Sequence, residues 1–278
     1  MATFQVIIDA VLRILSGVIP FSYPWVNPIS EFYLHYTTKT EMDFLITLIL
    51  CIAFLFFFRF DWLGLFSALV KTIIRPVSIK KDHRTLDQEV ILFLLSVSVP
   101  VFLIRKWLAP EILAIESLNT HLAYGILFIL AAFLLRFAYR WNKRIKGLNH
   151  LKITDAIPIV AISILSIHPA FTLPLVFFVG FSLVNYHYEA VFKYSMLLLG
   201  IQTWIHMIEL SGSMELSESF VAVGRLNAIA VMVVGFSIAW WMLLENLQKN
   251  MSENSLRSFQ WFHLFAALGS FAFFFLKG

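Results

Sequence analysis

Uncharged apolar runs recur along this chain at close to the length a helix needs to cross hydrocarbon, about twenty residues. Phe44–Phe58 carries no charge and stops at Arg59. Val90–Ile104, His121–Leu135, Tyr194–Ile208, Phe220–Leu244 and Trp261–Leu276 follow, with Arg225 the one charge among them. A large soluble core would interleave apolar and polar residues; here they come in blocks. Composition agrees: the chain is 60% hydrophobic and 14% charged, with a mean hydropathy of +0.82, whereas a soluble domain is nearer half and a quarter. The fold class expected is all-α: a polytopic integral membrane protein with about six transmembrane helices, forming one transmembrane domain over residues 1–278.

The charges set an orientation. Residues 59–85 carry Arg59, Lys71, Arg75, Lys80, Lys81 and Arg84, and residues 136–152 carry Arg136, Arg140, Lys143, Arg144, Lys146 and Lys152. The stretch 209–219 has Glu209, Glu215 and Glu218 with no basic residue, and 106–119 sets Lys106 against Glu111 and Glu116. Basic loops stay cytoplasmic, so the first pair is placed inside and the second outside. The formal charge of +4 is thus topological, and no basic groove interleaved with aromatics points to nucleic acid. Cys51 stands alone, which rules out an internal disulfide or a thiolate metal cluster. With no Lys or Arg before Arg13, the first residues do not read as a cleaved signal peptide.

Every basic loop falls inside only if residues 153–190 leave and return on the cytoplasmic side, and the first 40 residues do the same outside. Both regions are apolar and broken by proline. Val6–Val18 runs into Pro20, Pro24 and Pro28; Ile157–Ile167 runs into Pro169 and Pro174. Proline interrupts a helix, and broken backbone at membrane depth needs protein or a watery cavity around it. The expectation is two re-entrant helical hairpins, 4–40 and 153–190, entering from opposite faces and meeting near the bilayer's middle. They divide the chain into an inverted-topology repeat, 1–140 and 150–278, and paired broken segments of this kind mark binding sites.

The stretch IHPAFTLPLVFFVGFSLVNYHYEAVFKYSMLLLG, residues 167–200, resembles the P-G-x-S-R-S-G-x-T motif and following helix of the undecaprenyl-diphosphate phosphatase (BacA, or UppP) family. Pro169 falls on the motif proline, Ala170 on its glycine and Thr172 on its first serine. Residues 16–30, SGVIPFSYPWVNPIS, lie over the family's E-G-x-T-E-F-x-P motif, with Gly17 and Phe21 matching. The order of segments is similar over nearly the whole chain. The catalytic positions differ: Leu173 stands at the motif arginine, Pro174 at the second serine, Ser16 and Pro20 at the two glutamates, and Thr47 where a glutamine is usual. Diphosphate hydrolysis needs a cation on the phosphates and a group to activate water or replace it, so no catalytic residue, metal site or cofactor is assigned.

Polar groups at membrane depth are costly and point to function, which makes a candidate lipid-phosphate site of Arg13, Ser22, Tyr23 and Asn27 near the first break and His168 and Thr172 at the second; Ser22, Tyr23 and Asn27 serve equally to satisfy backbone in the turn. Arg13, a cation on an apolar arm, calls for an anion or a carboxylate, or reaches the interface. The function expected is binding or translocation of a polyprenyl-phosphate lipid carrier, without hydrolysis, in a bacterial cytoplasmic (inner) membrane. Two alternatives stand beside it: a structural subunit of an envelope complex on the same scaffold, and a divergent active polyprenyl-diphosphate phosphatase. The partners implied are membrane lipid, with undecaprenyl phosphate the candidate, and a membrane-protein partner or a second copy of the chain.

Overall fold

The computed structural model describes residues 7–8, 10–11, 13–15, 39–74, 85–115, 121–168, 170–212, 221, 223–241, 243, 260–261 and 263–272. Its named elements are all helical. Helix α1 (Lys39–Phe57) meets α2 (Arg59–Ile74) at a bend of 84°. Then come α3 (Leu86–Leu113), α4 (His121–Trp141), α5 (Ala156–Ser163), α6 (Leu173–Leu183), α7 (Tyr188–Ser211), α8 (Arg225–Trp241) and α9 (His263–Ala272). Short 3-10 turns, Ile153–Asp155 and Ile164–Ile167, extend α5 at both ends. Among the described residues α3 and α4 are long and apolar enough to cross a membrane, and α1 with α2 makes a third if the bent pair is one span.

Two boundaries differ from the hydropathy reading. The stretch after Arg59, read as loop, is helical to Ile74; Arg59, Asp61 and Lys71 interrupt the apolar run without interrupting the helix. The loop expected from residue 106 begins only after Leu113, because α3 carries Pro100, Arg105, Lys106 and Pro110 within one 28-residue helix. Its start is sharply defined: the Thr85 hydroxyl accepts from Gln88 N–H and the Gln88 side chain returns to Thr85 N–H, a reciprocal cap.

Polar contacts fix the directions of the helices. Lys193 near the start of α7 pairs with Asp61 near the start of α2 at 2.6 Å. Asn142, just past α4, bonds Tyr186, just before α7. At the other end Asp43 of α1 pairs with Arg13, and His206 of α7 lies in the electrostatic field of Asp43, Arg105 and Glu209. So α1 and α4 run one way, α3 and α7 the other, and the basic 140–152 stretch sits at one end of the bundle.

Close approach of the helices depends on small residues, as is common where helices pack in membranes. A Cβ on Gly200 of α7 would stand 2.7 Å from the Trp62 ring of α2. That indole is tied by its N–H to Phe54 O at 3.1 Å, so it has little freedom to swing aside. Gly200→Val is therefore expected to cost about 1–3 kcal/mol, read as a lower melting temperature in detergent. Adding Trp62→Leu, which makes room, should recover most of the loss.

Candidate functional site

The segment between α4 and α7 is a closed helical hairpin. Its two ends lie side by side: Lys146 bridges to Tyr186, Ile145 and Lys146 N–H both donate to Asn185 O at 3.0 Å, and His187 N–H donates to Lys146 O at 2.8 Å. Arg144 (φ 53°) and Asn185 (φ 69°) take left-handed backbone conformations here. Such residues are usually Gly, Asn or Asp; the arginine is held because two asparagine amides bracket it. Asn142 accepts from Arg144 N–H at 2.8 Å and donates to Tyr186 O at 2.9 Å, while Asn185 accepts from Lys143 N–H at 2.7 Å.

Inside this base lies Asp155, 7% exposed. Lys146 Nζ reaches both of its oxygens, at 2.8 and 2.9 Å, and the Tyr186 hydroxyl donates to one of them at 2.7 Å. Burial first, then the Asp155 carboxylate, pushes the Tyr186 phenol up, so it remains a protonated donor. An aromatic cluster of Phe93, Phe181, Tyr186 and Tyr194 seals the base against α3 and α7, with ring centroids 5.7 to 6.5 Å apart. The Tyr194 hydroxyl donates to Leu148 O.

The arms diverge little. Gly180 of α6 meets Ile159 of α5, whose Cα would lie 3.2 Å from any added Cβ. Pro174 to Ser182 of α6 are all buried, so this arm is enclosed on every side. The tip is polar. His168, 7% exposed, accepts from Ala170 N–H through Nδ1 at 3.1 Å, which puts the proton of a neutral ring on Nε2. Its ring lies 5.1 Å from that of Tyr124. Thr172 opens α6 as an extended cap residue but makes no side-chain cap bond, and its buried Oγ1 has no hydrogen-bond partner among the described residues. Tyr124 stands roughly 25 Å up α4 from Trp141 at 1.5 Å per residue. The tip thus lies well along α4 from the hairpin base, and the 3-10 turns at Ile153–Asp155 and Ile164–Ile167 lengthen the first arm.

The site residues expected from sequence divide in three. His168 and Thr172 come together at the hairpin tip. Arg13 is buried and ion-paired with Asp43 of α1, so the carboxylate it called for belongs to the protein itself. Ser22, Tyr23 and Asn27 lie outside the described residues, with most of the 4–40 hairpin and Pro169. Lys146, Asp155 and Tyr186 were missed; Asp155 at the head of an apolar arm was the signal. His206 and Glu209 stand 3.8 Å apart, and among the described residues no three metal-ligating side chains converge.

Chemically, the tip offers the Thr172 hydroxyl, which has no hydrogen-bond partner among the described residues, beside an imidazole already held by Ala170 N–H. Leu173 opens α6 and Pro174, buried, stands in its first turn.

No protein-family model and no curated protein matches the chain.

Proposed function

We propose that the chain is a polytopic protein of a bacterial cytoplasmic membrane that binds a polyprenyl-phosphate lipid at the tip of a re-entrant hairpin and does not hydrolyse it. The observation that carries this reading is the Thr172 hydroxyl, buried without a partner among the described residues beside His168 in apolar surroundings. A buried hydroxyl without a partner costs about 1–3 kcal/mol, which a phosphate oxygen would offset. The closed base at Lys146 and Tyr186 supports a hairpin entering and leaving on one side. The arms Ile153–Ile167 and Leu173–Leu183 are each shorter than the roughly twenty residues a helix needs to cross hydrocarbon. The inverted repeat, the six spans and the kinship to undecaprenyl-diphosphate phosphatases belong to this proposal.

The test is retention of undecaprenyl phosphate by the purified chain, read by mass spectrometry. His168→Ala with Thr172→Val is expected to weaken retention about tenfold, the scale of one or two lost hydrogen bonds, with no phosphate released from undecaprenyl diphosphate by the wild type. Release above background, lost in His168→Ala, would move the chain to the active-phosphatase reading.

A second reading is favoured by α6, whose Pro174–Ser182 stretch is packed throughout, and by the neutralised Arg13: a structural subunit whose former cavity is filled. A stoichiometric membrane partner with no retained lipid would support it.

A further inference from the structure

The elbow between α1 and α2 borders an open apolar space that the hairpin does not use. With α1 upright in a bilayer, an 84° bend lays α2 along the surface at the basic end, as interfacial helices lie. There α2 presents Phe60, Leu63 and Phe66, each at least 66% exposed. Leu63 and Phe66 also line an open apolar cavity of about 650 Å³ that α3 and α7 bound on its other sides. Ile91 and Leu95 climb its α3 wall and Ile201 and Trp204 its α7 wall, so it extends from the polar end toward the middle of the bundle. Trp62, also in the lining, has its indole N–H occupied by Phe54 O and so offers carbon surface. Arg59 is the one charged residue lining the cavity, and it sits where α2 begins.

An apolar chamber of roughly 300–1,000 Å³ with few, well-placed polar groups is the usual form of a small-molecule site. A guanidinium offers a phosphate a planar pair of donors. The basic end of a membrane protein meets anionic head groups. The Arg59 guanidinium lies over the Phe60 ring at 4.8 Å, a contact through its face that leaves its in-plane N–H donors for an anion, and a water-soluble anion would leave the apolar space unfilled.

We infer that the α1–α2 elbow binds one anionic glycerophospholipid, with an acyl chain in the cavity and the phosphate on Arg59. The site is separate from the hairpin tip, and the inference rests on the membrane reading above.

The test reconstitutes the full chain into nanodiscs of mixed phosphatidylglycerol and phosphatidylcholine and reads retained lipid by native mass spectrometry. One phosphatidylglycerol per chain is expected to persist. Arg59→Gln should lower its retention about tenfold, the scale of a charge-assisted contact. Leu95→Trp, which fills the chamber and leaves Arg59 in place, should displace it as well. Equal retention of phosphatidylcholine, unchanged retention in both variants, or displacement by undecaprenyl phosphate in preference would overturn the assignment. Should either variant fail to fold, quenching by chain-brominated lipid supplies the reading, taken as the difference between wild type and Trp204→Phe. Brominated phosphatidylglycerol is expected to quench Trp204 more than brominated phosphatidylcholine, and equal quenching overturns the site. A chain that does not enter the discs refutes the membrane reading; one that enters and shows no lipid preference refutes this inference alone.

Discussion

Asp155→Ala is expected to lower the apparent melting temperature by roughly 5–10 °C and to loosen the hairpin base first. Three groups converge on this carboxylate: Lys146 twice and the Tyr186 hydroxyl. Removing one partner from a buried ion pair costs about 3–5 kcal/mol. Lys146 keeps a quarter of its side chain exposed, so water recovers part of that and about 2–3 kcal/mol is expected. Asp155→Asn should cost less, since an amide oxygen still accepts from Tyr186. Lys146→Met combined with Asp155→Ala should be more stable than the sum of the single variants, the signature of a direct pair. Hydrogen exchange at Ile145, Lys146 and His187 locates the effect, because those amides bond across the base. Unchanged exchange there, with an unchanged melting temperature, would show that other contacts hold the hairpin closed.

How much of this was legible beforehand follows from the range of the interactions. The apolar runs at 90–104 and 121–135 lie inside α3 and α4 because local composition alone marks them. The break near Pro174 was legible for the same reason: proline fits the first turn of α6 and nothing earlier. α2 was missed because Arg59, Asp61 and Lys71 spoil a hydropathy window, although Leu65 and Ala68 keep one buried face. The Lys146–Asp155–Tyr186 cluster at the hairpin base was missed for a different reason. Asp155 and Tyr186 are 31 positions apart, and no local pattern pairs a lone acid with a distant tyrosine. Arg13 shows the intermediate case: its chemistry demanded a partner, but sequence could not choose between a lipid phosphate, the interface and Asp43, 30 positions on. The same limit applies to Thr172: sequence marks it as a polar residue at the break, but whether its hydroxyl faces a ligand or a carbonyl is decided by packing from α4 and the hairpin itself.

The largest effect expected is all-or-none, and it concerns sidedness. In a Cys51→Ala background, His150→Cys and His187→Cys should react with a membrane-impermeant thiol reagent from one side of sealed vesicles, and Ser211→Cys from the other. All three positions are exposed, so access in detergent is not the variable. His150 and His187 flank the hairpin, before Asp155 and after Tyr186, while Ser211 closes the 24-residue α7, roughly 36 Å long at 1.5 Å per residue. That length exceeds the hydrocarbon thickness of about 30 Å, so the two ends of α7 belong in different aqueous phases if it spans. A hairpin closed by the Lys146–Tyr186 bridge cannot place its two ends on opposite sides without breaking the bonds through Asn185 and His187. Labelling of positions 150 and 187 from opposite faces would therefore refute the re-entrant hairpin, and with it the phosphate site at His168 and Thr172. Labelling of 187 and 211 from the same face would instead lay α7 along the surface, and the elbow cavity would lose the bilayer that gives it a ligand.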